Sequence, residues 1–352
     1  MLRGWPLMIT RTPGSLGATM EALRGSLAAT AMTEEQWTVA VTKAPSVLTR
    51  SPDNVRQQVE GLREVLRAGE GAEGDVAVAK AIRRKPHVLA FSTEAVRAKR
   101  RALEDIVGGL LGEVRGAAGV SGGRGETAGA REGAGRKQRS GGRAHWAKAG
   151  ASVEGVATKM IGTAPGLLEA GEERVVGRVG ELMDLMAGRV GRACVAGAIM
   201  SYPTLIAGYD IETVGLKWRV LVRACERNER WGGWLDSGQA GSLGTILKMG
   251  LESVAVLLVI VDLAEEWEAG AVPEVSEEEA AVREAAARLM RRAPGDLVNK
   301  SKLGAPEEEG QKKKRPQKGS GRKSVLDVEG VDVEAFWRVV EPRAEEYAEA
   351  AQ

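Results

Sequence analysis

The chain has 352 residues, 43% hydrophobic but only 4% aromatic, and its 50 basic residues nearly balance 48 acidic ones. Apolar content drawn mainly from Leu, Val, Ile and Ala suits helix packing better than a β-sandwich. A net charge of +2 excludes a polycation that overall charge alone would draw to nucleic acid, so only local clustering can argue for such a ligand. Two cysteines (Cys194, Cys225) and two histidines (His87, His145) are too few and too scattered for a disulfide framework or a zinc module, which leaves thiols in a reducing compartment.

In chain order, Met1–Thr12 lacks the charged, apolar and cleavage regions of a secretory signal and instead opens a repeat, as a truncated or already mature chain would. Trp5–Pro13 and Ala44–Pro52 both carry Pro, an aliphatic residue three positions on, then Thr-Arg-x-Pro. With each such proline as anchor, apolar residues recur three, ten and seventeen positions later: Leu48, Val55, Leu62 after Pro45; Leu89, Val96, Leu103 after Pro86; Leu168, Val175, Leu182 after Pro165. Pro6 gives Ile9, Leu16 and Leu23, and Pro203 gives Ile206, Thr213 and Val220, with Thr213 the one departure. Eight and four positions before the last four prolines stand Trp37 and Val41, Val78 and Ile82, Ala157 and Ile161, Val195 and Ile199, an i, i+4 pairing that marks one helix face.

Each unit therefore reads as a first helix, a break at the proline, which lacks a backbone donor and disfavours helix in the residue before it, and a second helix. Thr33-Glu34-Glu35-Gln36 opens one first helix with a capping box. Anchor spacings of 39, 41, 79 and 38 leave one double gap, filled by Gly108–Ala144 with 13 glycines, which we expect to be a disordered Gly/Arg-rich insertion. Beyond the repeats, Val254–Val261 is too short an apolar run to span a membrane and reads as a buried core helix. Ser276–Glu279 starts a further helix that leads to a degenerate anchor at Pro294. Residues 304–324 are a charged low-complexity insertion, and a C-terminal capping helix within 325–352 carries Phe336, Trp337 and Val340 on its apolar side. The expected organisation is thus repeats over 1–107, insertion over 108–144, further repeats over 145–303, insertion over 304–324, and the cap.

The layout Pro45-Ser-Val-Leu48, Val55, Leu62 and its copy at Pro86, together with Ser201-Tyr-Pro203-Thr-Leu205, resembles the repeat of the mitochondrial transcription termination factor (mTERF) family, over about Gly4 to Arg230. The resemblance implies an all-α superhelical solenoid that binds double-stranded DNA, or RNA, in mitochondria or chloroplasts. It further implies roles in transcription termination, transcript processing, splicing or ribosome biogenesis. We expect a monomer with no membrane partner.

Phosphate contact falls to Lys and Arg. Arg11 and Arg50 share one repeat position, Arg56 and Arg97 another, and Arg63 a third with Arg24. Arg97, Lys99, Arg100 and Arg101 form the densest cluster, and Lys217, Arg219 and Arg223 a later one, with Trp218 between its first two members. For any single arginine the alternative is a solvated helix face, and for Trp218 a packing role. Both insertions add basic tracts, Arg124–Arg143 and Lys312–Lys323.

No nucleophile, base or metal-ligand spacing emerges. Gly319–Ser324 lacks the Gly-Lys-Ser/Thr ending of a phosphate loop, and the histidines stand apart from any partner at motif spacing. We expect no enzyme activity, no cofactor and no metal. The competing reading is a helical-repeat scaffold for a protein partner, favoured by the near-zero net charge.

Overall fold

The computed structural model describes residues 12–27, 31–67, 72–121, 151–236, 240–270, 276–298, 303, 324–326 and 332–351, and every regular element among them is helical. The chain divides into two compact units. The first holds the N-terminal helices with His145–Glu181 and Ile199–Gly208; the second holds Leu182–Ala198 and the chain from Tyr209 on.

The repeated motif is visible as geometry. Helix α1 (Pro13–Gly25) is a second helix; α2 (Glu34–Lys43) and α3 (Pro52–Val65), α4 (Ala72–Arg84) and α5 (Thr93–Ser121), and α6 (Val153–Thr163) and α7 (Glu172–Val190) are first–second pairs. A 3₁₀ turn separates each pair: Pro45–Thr49, Pro86–Ala90 and Pro165–Leu168. The residue before each proline adopts nearly the same backbone, φ/ψ −131/63 at Ala44, −144/79 at Lys85 and −130/76 at Ala164, outside the helical basin as a following proline demands. Six residues after each anchor stands the N-cap of the second helix. Thr12, Ser51 and Ser92 accept from the backbone N–H three residues on at 3.2–3.3 Å, and Gly171 holds the same place before α7. The capping box of α2 is reciprocal, Gln36 N to Thr33 Oγ1 at 3.3 Å and Thr33 N to Gln36 Oε1 at 3.2 Å. Consecutive turns pack on one another, as do α1 on α3 and α3 on α5.

Counting from the N-cap explains the departure at Thr213. Helix α8 (Arg192–Ser201) leads to Pro203, but the turn there is one α-helical turn, Thr204–Ala207, not 3₁₀. An α turn takes more residues than a 3₁₀ turn, so the cap of α9 (Ile211–Glu226) falls at Asp210, seven after the proline. The positions four and eleven after the cap are then Val214 and Leu221, both 0% exposed, whereas Thr213 is only half-buried and Val220 is buried beside Leu221. The same count finds a unit that proline anchors miss. Helix α10 (Glu229–Asp236) precedes α11 (Ala240–Lys248), which runs unbroken through Gly244, 41 residues after Pro203. Six residues on, Gly250 caps α12 (Leu251–Glu268), and Val254 and Val261 are fully buried.

Helix α5 corrects the insertion boundary. It continues through Gly108 to Ser121 because Leu110, Leu111 and Val114 carry its apolar stripe onward into buried positions. Residues 122–150, and the second insertion over 304–323, lie outside the described residues. In the second unit α12, apolar on every side over Val254–Val261, packs against α9, α13 (Glu277–Leu289) and the terminal helix α14 (Val333–Ala351). Phe336, Trp337 and Val340 are buried on α14.

At Gly61 a methyl group would sit 2.5 Å from Thr93 Cγ2, because α3 and the start of α5 meet there. Thr93 is held in place by its bond to Gln57 O at 3.1 Å. Gly61→Ala is expected to lower stability by about 1–2 kcal/mol, the overpacking cost exceeding the gain in helix propensity. In a Thr93→Ser background the loss should shrink, which chemical denaturation would read.

Candidate nucleic-acid interface

The sequence-derived cations divide by what they touch. Seven residues after each N-cap, on the buried face of the second helix, stands a polar side chain that donates to a carbonyl of the following turn. Thr19 Oγ1 donates to Arg50 O at 3.0 Å. The Gln58 amide, with its nitrogen turned toward the following turn, donates to Leu89 O at 2.5 Å. Lys99 Nζ donates to Leu168 O at 2.5 Å and Glu169 O at 3.2 Å. Arg178 donates to Ile206 O at 3.1 Å, and Lys217 to Leu247 O at 3.3 Å in the unit anchored at Gly244.

The residue just before the cap assists. Lys99 Nζ lies 4.3 Å from the centre of the Phe91 ring and Lys217 Nζ 4.9 Å from that of Tyr209. Arg50 reaches Ala90 O and the Gln58 amide oxygen, and Tyr209 Oη donates to Lys248 O at 3.1 Å. Burial lowers the pKa of Arg50, Lys99 and Lys217. These three cations close the joint between successive turns.

Three more are held within the first unit. Arg63 pairs with Asp75 and Glu60 and donates to Ser26 O at 3.2 Å, its side chain only 16% exposed. Arg97 grips both oxygens of Glu64 at 2.6–3.1 Å, holding that carboxyl below its usual pKa. Arg100, 9% exposed, donates to Glu104 at 2.8 Å and Thr158 Oγ1 at 3.1 Å. Arg56 is exposed and pairs with Asp53 at 2.7 Å; Arg101, Arg219 and Arg223 are exposed to solvent. Trp218 is buried, as its packing role requires. Arg11 lies outside the described residues.

Further cations stand on the first helices, outside the register that runs along the second helices. Lys43, Lys80, Arg83 and Arg84 are all exposed, at the C-terminal ends of α2 and α4. Arg84 Nη1 donates to both Gly162 O and Thr163 O at 2.8 Å, satisfying the end of α6.

Both cysteines are buried thiols, pushed up by burial to about 11 at Cys194 and about 12 at Cys225. Among the described residues no three of His, Cys, Asp and Glu gather closely enough to hold a metal ion, and no helix is long and apolar enough to cross a membrane. No protein-family model, curated protein or solved structure matches the chain.

Proposed function

We propose that this chain is a helical-repeat nucleic-acid-binding protein. In this reading its units stack as a solenoid, and it acts in organellar gene expression, in transcription termination or transcript processing, with duplex DNA as the first ligand and RNA as the alternative. The observation that carries the reading is the recurrence of one unit with one joint: the same backbone before three of the prolines, and a side-chain donor to the next turn seven residues after each cap, from Thr19 to Lys217. A unit of this kind cannot hide its apolar face alone, and stacked units present an extended surface suited to a long ligand. The register on which the mTERF resemblance rests is the register that is buried.

The test is binding of the full chain to mixed-sequence duplex DNA and to single-stranded RNA between 50 and 200 mM salt. Phosphate neutralisation predicts that log K falls linearly with log salt, by about 0.9 per contact on duplex and about 0.7 on single strands. The tighter ligand chooses between transcription and RNA processing. Absence of binding to both at low salt overturns the reading.

A protein partner on the same surface is the second reading. It is favoured by Val39 and Val76, 46% and 49% exposed on first helices α2 and α4, and by the number of cations engaged internally.

A further inference from the structure

We propose that the phosphodiester backbone is met by the exposed face of the first helices at their proline-turn ends, and not by the second-helix cations that the repeat register singles out. This rests on the nucleic-acid reading above. Charge on the first helices of the first unit is segregated along each axis. Acids are confined to the opening turns, Glu34 and Glu35 on α2, Glu73 and Asp75 on α4, Glu154 on α6. The last two turns of all three helices contain no acid, and their exposed positions include Lys43, Lys80, Arg83, Arg84 and Lys159. Helices α2 and α4 touch, and so do α4 and α6. The acid-free ends therefore form one continuous edge, which Arg84 ties across to the last carbonyls of α6.

Helix dipoles alone would place cations at C-termini, but their effect falls off within the last turn. Lys80 and Lys159 lie one turn further back, where the dipole gives them little. Among the described residues no acid pairs with Lys43, Lys80 or Arg83, whereas Arg63, Arg97 and Arg100 on the second helices are each committed to a carboxylate. Lys80 and Arg83, three apart, share one helix face and can bind together. The neighbouring edge of α6 is low: a side chain added at Gly162 would meet nothing within 4 Å, which leaves room for a backbone to approach.

The experiment uses the full chain and the two probes already named, duplex DNA and single-stranded RNA. Lys80→Gln/Arg83→Gln is compared with wild type and with Arg56→Gln/Arg101→Gln, and circular dichroism and melting check that each variant is folded. The first-helix pair should bind roughly tenfold or more weakly at moderate salt and reduce the salt slope by about 2, one unit per lost contact. The probe on which that change appears identifies the source of the phosphates. If wild type binds and the first-helix pair leaves the slope unchanged, the proposed surface is wrong while the nucleic-acid reading stands. If wild type binds neither probe, both fall together.

Discussion

Arg63→Met is expected to destabilise the first unit by about 3 kcal/mol, the cost of taking the guanidinium away from a buried carboxylate. Asp75 has only 11% of its side chain exposed and receives the Arg63 guanidinium, which also serves Glu60 and caps Ser26 O across the unit. Methionine fills the stem volume but removes every donor. The position of Asp75 in the first turn of α4 keeps the loss from being larger, because the helix N-terminus favours negative charge. The check is a denaturant melt of Arg63→Met beside Arg63→Met/Asp75→Asn. The second variant should recover much of the loss, since it removes the negative charge that Arg63 balanced. A single variant within 0.5 kcal/mol of wild type would show that the pair is not structural. Arg56→Ala is the contrast: its ion pair with Asp53 has both partners largely exposed, so the change should stay within about 0.5 kcal/mol.

The second large effect comes with alkaline pH. Cys194 and Cys225 ionise only far above the ordinary thiol range in the folded chain, near 11 and 12, because burial disfavours the thiolate. Unfolded, both ionise near 9.0. The folded chain therefore binds more protons above pH 9, so the stability due to these thiols is complete below 9 and drains away as pH climbs toward 11–12. At about 1.4 kcal/mol per pH unit per thiol, the two together should lose about 4 kcal/mol by roughly pH 10.5. Lys99 and Lys217, whose pKa values burial lowers, push the other way, since their folded forms are relieved as they lose a proton. That contribution cancels when wild type is compared with Cys194→Ala/Cys225→Ala. The stability difference between the two, measured under reductant at pH 8 and pH 10.5, should move by about 4 kcal/mol in favour of the alanine variant. A difference that does not change with pH would place the thiols in contact with solvent.

The apolar register was legible in the sequence because burial of one helix face repeats with the helix period, and Leu62, Leu103 and Leu182 keep that beat whatever surrounds them. The unit at Gly244 was not, because no proline marks it and there the first helix runs straight through the turn. A run of cations in the sequence does not make a cationic face, for a geometric reason. Consecutive helical residues point about 100° apart, so the run Arg97, Lys99, Arg100, Arg101 disperses: one grips Glu64, one closes the Pro165 turn, one reaches Thr158 and one meets water. Partners such as Leu168 O for Lys99 lie 69 residues away in the chain, beyond any local pattern. One trace was available. Thr19, Gln58, Lys99, Arg178 and Lys217 interrupt an otherwise apolar stripe at a fixed offset from the cap, and a polar residue inside a buried stripe must find an acceptor.

That offset also gives the chain a direction. In each of the five joints the donor comes earlier in sequence than the carbonyl it serves. A ribosome releasing the polypeptide from its amino end would deliver every new turn to a side chain already waiting for it. Shortening from the two ends should accordingly be unequal. Trimming from the carboxyl side leaves lysines and glutamines that water can serve, whereas trimming from the amino side strips partners from carbonyls that stay enclosed.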